Sequence, residues 1–239
     1  LTTTQLANIN TADIKILTSG QITALSATQV KALTSTQLGV LTSDQVSFLG
    51  GAQLAALSTL QLGYLASTDF AALGSAQVAA LSSSQLHALN TGQFSSLSTA
   101  AIVGIDASKV AALTAEDLAA LTSAQMMKLA VKAVAKLTTL QIVALTTKQT
   151  AGLTTDQVAT LTSAQITKMT SAAFAKLTTD ALKALNAAAV VGLTTDHVSH
   201  IASADFAKLT SAQVAKFTTA QMAALTTTQT AGLTTAQAA

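Results

Sequence analysis

The chain has 239 residues, half of them apolar, yet it contains only six Phe, one Tyr and no Trp, Pro or Cys. Its core must therefore be built from small and medium aliphatic side chains, without large aromatic anchors, and neither a disulfide framework nor a thiolate metal site is available. Twelve lysines against ten acids leave a net charge of +2; arginine is absent, and nothing in this balance marks a nucleic-acid surface.

From Leu1 onward the sequence repeats every eight residues. Leu33-Thr34-Ser35-Thr36-Gln37-Leu38-Gly39-Val40 aligns with Leu41-Thr42-Ser43-Asp44-Gln45-Val46-Ser47-Phe48, and the register runs through thirty octads (the last one residue short) without an insertion. Position one is large and apolar throughout, with Leu replaced only at Ile9, Ile105, Met169, Ile201 and Phe217. Position six is Val, Ile, Leu, Phe or Met except at Thr150, Thr230 and Ala238. Position five is Gln in nineteen octads, and position two is Thr, Ser, Asn, Asp or Gly except at Ala66, Ala130 and Ala202.

One continuous α-helix cannot use this pattern. Eight residues at 100° each overshoot two turns by about 80°, so the apolar stripe would wind around the helix. A strand sends positions one and six to opposite faces, and Ala, Leu and Gln are helix formers. One very short helix per octad fits. Thr34 as N-cap with Gln37 three residues on is a capping box, and Leu33 with Leu38 forms a hydrophobic staple. The charges sort independently: every acid lies at position two, four or five, and nine of the twelve lysines lie at positions seven and eight. That arrangement complements a helix dipole starting at position two.

A helix of six or seven residues does not survive alone in water, so the octads must stabilise one another as neighbours in a solenoid. Small residues at positions seven and eight (Ala55-Ala56, Ala79-Ala80) are expected to let successive helices approach, with positions one and six lining a continuous core. The array 1–239 reads as a single continuous repeat with no linker. Residues 123–137 are its one local departure: Ala130 replaces the cap and Ala133 the Gln, which predicts two octads fused into one longer helix. In the C-terminal half a forty-residue period appears in Gly152, Gly192 and Gly232, and in Lys128, Lys168 and Lys208. It reads as duplication of a five-octad block, or alternatively as one geometric turn of the superhelix with its lysines in a stripe.

No catalytic, cofactor-binding or metal-binding residue is singled out. His197 and His200 are three apart with Asp196 adjacent, but no third ligand is specified; both read as polar substitutions on a solvated face, His197 at the Gln position. Serine and threonine are abundant without a base and orienting group to activate any of them. Glu116-Asp117 is the only acidic pair, and a first helical turn accounts for it. Phosphate-binding, dinucleotide-binding and zinc-protease motifs are missing. Helix capping accounts for the first Thr of each Thr-Thr pair. No apolar stretch reaches membrane-spanning length, no signal peptide is recognisable, and the chain, beginning with Leu1, reads as a segment of something longer.

The octad L-[TS]-[TS]-x-Q-[VIL]-x-[AG] resembles the Leu/Thr/Gln-rich octapeptide tracts of very large bacterial secreted or cell-surface proteins of adhesin-like type. The resemblance spans the whole chain and implies a rod or stalk segment that holds an adhesive or matrix-forming protein away from the cell. The expectation is an all-α solenoid, not an enzyme, without cofactor, nucleic acid or membrane insertion, extracellular or at the cell surface. A protein- or peptide-binding solenoid and an end-to-end self-assembling filament subunit are the alternatives.

Overall fold

A computed structural model describes residues 1–234 and 237. Its described residues form twenty-nine helices and no strand. Each helix has four to six residues and starts at octad position three, from Thr3–Ala7 to Thr227–Ala231. The residue before it is extended, as at Thr34 (φ −74°, ψ 164°). The capping box forms as the pattern requires. The Gln37 amide donates to Thr34 Oγ1 at 3.2 Å, and Thr34 N–H donates to Gln37 Oε1 at 2.9 Å.

Each helix ends because position one must return to the core. After Gly51–Ala56, Leu57 is extended (φ −66°, ψ 141°), and no described residue, glycine included, has a positive φ. Where position one directly follows the helix, as at Leu57 and Leu81, two successive extended residues make the corner, with no left-handed cap. Both apolar positions gain by it. Leu38 and Leu54 at position six are 0% exposed, and Leu33 and Leu57 at position one are 4% and 3% exposed. Ala238, the last position-six residue, lies outside the described residues.

The fused helix expected at 123–137 does not form. Ser123–Lys128 and Val131–Val134 are separate, with Leu129 and Ala130 both extended between them. Five residues of unbroken helix would place Leu129 and Val134 about 140° apart, whereas both are buried. Burial of that pair outweighs the missing hydroxyl cap.

The chain forms two compact units, Leu1–Leu121 and Thr122–Ala239. Within each, a helix packs on the third helix along rather than on its successor: Ala27–Lys31 against Gly51–Ala56, and Thr155–Ala159 against Thr179–Ala184. Side-chain bonds between turns join residues 25 to 31 apart. A turn of about twenty-eight residues, the separation of Gln37 from Ile9, holds three and a half octads. Each octad therefore sits over the junction of two octads below it. The forty-residue period is not a turn of this coil, so lysines forty residues apart do not fall into one column.

Candidate functional site

A helix leaves its last carbonyls without partners, and here every helix ends after a turn or so. The position-five glutamine supplies what is missing. Gln37 is 2% exposed; while Oε1 holds its own helix start, Nε2 donates to the carbonyls of Leu6 at 2.9 Å and Ile9 at 2.8 Å. Gln45 does the same on Ile14 and Leu17, both at 2.9 Å. Gln93, fully buried, donates to Leu62 at 3.0 Å and Leu65 at 2.9 Å. In the second unit Gln213 donates to Leu182 and Leu185, and Gln229 to Val198 and Ile201. One amide thus caps two helices, its own at the start and another, one turn earlier, at the end. Gln5 and Gln21, which have no earlier described turn to reach, are exposed.

Other residue types at position five solve the same problem differently. Lys109 Nζ donates to the Ala79 carbonyl at 2.6 Å. Aspartate cannot donate, so a donor is supplied from the turn below. Ser43 Oγ donates to Asp69 at 2.8 Å, Thr179 Oγ1 donates to Asp205, and His87 Nδ1 lies 3.2 Å from Asp117. The second oxygen of Asp69 accepts from Ala66 N–H at 2.8 Å, as glutamine Oε1 does elsewhere, while the Asp69 N–H, with no cap hydroxyl to meet, donates to the Ala66 carbonyl at 3.0 Å. Where position five is Ala189, the cap residue Asn186 reaches across instead. Its Nδ2 donates to Ala159 at 3.0 Å and Leu161 at 3.1 Å.

Three sequence expectations change here. Glutamine is a buried bridge between turns as well as a helix cap. His197 is not on a solvated face: it is 1% exposed, its ring stacks on Phe174 with centroids 4.8 Å apart, and it occupies the bridge. Thr194 N–H donates to Nδ1 at 3.1 Å, and Nε2 lies 2.7 Å from the Met169 carbonyl. His200 is exposed, with Nδ1 2.8 Å from the Asp196 carbonyl. Likewise Asp117 is a buried link rather than a simple dipole partner, while its neighbour Glu116 is exposed. The missed signal is the absence of glutamate: capping boxes accept Glu or Gln alike, yet none of the thirty octads has Glu at position five. Glutamate could cap its own helix but has no N–H for a carbonyl one turn away.

The remaining polar chemistry is local. Asp106 accepts from the Ser108 hydroxyl at 2.6 Å and from the Lys109 amide at 3.0 Å. The Ser108 hydroxyl bond, then the Lys109 amide, hold its carboxyl down at about 2. No cluster of three or more His, Cys, Asp or Glu side chains suited to a metal ion occurs among the described residues. No helix among them is long and apolar enough to cross a membrane. A family model described as the ALTTAQ repeat matches four segments, residues 23–51, 62–99, 134–171 and 198–235, together more than half the chain. No curated protein matches it.

Proposed function

The chain belongs to the ALTTAQ repeat family, and on that footing we propose that it is a structural spacer: a rod or stalk segment of an extracellular bacterial adhesin or matrix protein, with no catalytic centre. The observation that supports this reading is how the recurring side chains are used. Positions one and six fill the core, position two caps its own helix, and position five joins one turn to another. Recurrence is thus spent on the coil itself. The outward positions three, four, seven and eight carry mostly Thr, Ser, Ala and Lys without a repeated recognition set, which favours a spacer over the peptide-binding and filament-forming alternatives.

The chain contains no cysteine, which permits a direct test. Ala172, exposed in the helix Ser171–Phe174, is replaced by Cys in the natural gene product, and intact cells are treated with a membrane-impermeant maleimide. Labelling of intact cells supports a surface location; labelling only after lysis sinks it. Changing the number of whole octads should alter reach while leaving attachment intact. If attachment is lost with the octads, the array is itself a binding module.

A further inference from the structure

Among the thirty position-five residues, His197 alone has a side chain that ordinarily titrates near neutrality. Its surroundings accept only one protonation state. Thr194 N–H can only donate and the Met169 carbonyl can only accept, so the ring must carry its proton on Nε2 and leave Nδ1 bare. A second proton has no place except Nδ1, where it would point at the Thr194 N–H. The ring's half of the cap on the helix Thr195–His200 would then be lost, although Thr194 Oγ1 would still accept from the His197 N–H, and the charged ring would stand in a site where Phe174 stacking and burial keep water out.

We propose that His197 is a pH-sensitive latch, closing the helix Thr195–His200 onto the preceding turn at neutral pH and releasing it on acidification. Burial pushes the imidazole below its ordinary 6.5; the Met169 carbonyl and Asp196 oppose this, and His200 adds to it. The two helices packed against this one, Ser171–Phe174 and Thr219–Ala223, contain no ionisable side chain. Asp196 and His200 lie exposed on the same helix, and Lys168, Lys176 and Lys216 lie exposed beyond the ends of its two neighbours. The sign follows from the buried ring. The unfolded chain takes up the proton first, so stability is full above the ordinary imidazole value, falls as pH drops through it, and levels off below the folded value. Release reaches the next turn too, because Gln229 donates to the Val198 and Ile201 carbonyls of the released segment. A scaffold with such a latch has one joint that opens in acid.

The test uses the full chain. Thermal unfolding is followed by circular dichroism at about pH 7.5 and about pH 5, where the protein should lose about 2–4 °C of Tm in acid. His197→Gln restores the usual amide and should abolish that loss, whereas His200→Gln should leave it. Equal pH dependence in wild type and His197→Gln would overturn the proposal. Should His197→Gln fail to fold, an NMR titration of the wild-type imidazoles decides. A His197 ring titrating below the ordinary imidazole value, with its proton on Nε2 at neutral pH, supports the latch; one titrating at or above that value refutes it.

Discussion

Octads 89–96 and 185–192 close their turns by opposite means. In the first, Gln93 spans the gap with a long side chain, and its amide reaches two carbonyls on the previous turn. In the second, Ala189 has nothing to reach with, and the backbone itself comes close. A Cβ built on Gly192 would lie 2.2 Å from the Ser163 carbonyl oxygen. Thr167 Oγ1 donates to the Gly192 carbonyl at 2.8 Å, and Asn186 bridges from the cap position. Octad 97–104 repeats the second solution, with Ala101 at position five, and a Cβ on Gly104 would lie 2.3 Å from the Ser75 carbonyl oxygen. Side-chain length at position five and side-chain absence at position eight are therefore linked in these octads. Gly152, in an octad that keeps Gln149, would place a Cβ 2.8 Å from Ser123, so close approach does not require alanine.

The comparison breaks most severely if the bridge is kept in shape but deprived of its donors. Gln93→Glu buries a carboxylate against the Leu62 and Leu65 carbonyls and should cost about 3–5 kcal/mol at neutral pH. Denaturant titration should show part of that loss recovered on acidification, because a buried carboxyl with a raised pKa regains a donor when protonated. A Glu variant as stable as wild type at neutral pH would mean that the amide is not the bridge. Gln93→Ala should cost somewhat less, about 2–4 kcal/mol, by orphaning the Asn90 N–H and the Leu65 carbonyl without adding charge, the Leu62 carbonyl keeping its bond from the Leu65 N–H. Natural Ala189 does not excuse it, since octad 89–96 has neither the glycine at position eight nor the close backbone.

Smaller effects sharpen the other half of the comparison. Gly192→Ala should lose about 1–3 kcal/mol through the contact with the Ser163 backbone. Gly20→Ala should gain about 0.5–1 kcal/mol. Gly20 lies inside the helix Ser19–Thr23, where a Cβ meets nothing within 4 Å and alanine is the better helix former. Melting curves giving both glycine variants the same sign would remove the distinction between a glycine packed on neighbouring backbone and one with open space around it.

Most of the local structure was legible because each octad repeats its own instructions. Thr34, Gln37, Leu33 and Leu38 specify a helix start within six residues, and every described helix begins where that rule puts it. What could not be read was which octad faces which. The separation between Gln37 and Ile9 depends on the bend at the extended positions one and two, and no residue in either octad encodes that angle as a pattern. The same gap explains His197. Its position marked it as a glutamine substitute, but its burial became visible only once Met169 and Phe174 were placed beside it. Ala130 shows the opposite failure, where weight given to one absent cap hid the demand of Leu129 and Val134 for a shared core.

A bridge that ends on a main-chain oxygen is indifferent to the identity of the residue below it. Gln37 would find the same acceptors under any octad, whereas Asp69 needs Ser43 and Asp205 needs Thr179. An array joined mainly by the first kind of contact can gain or lose whole octads by unequal recombination, and each newcomer finds usable partners wherever it lands. The forty-residue echo in the C-terminal half needs no match to the pitch of the coil for that reason. Side-chain-to-side-chain links work against such shuffling: they tie two particular octads together, and a block that moves must carry both or lose the contact.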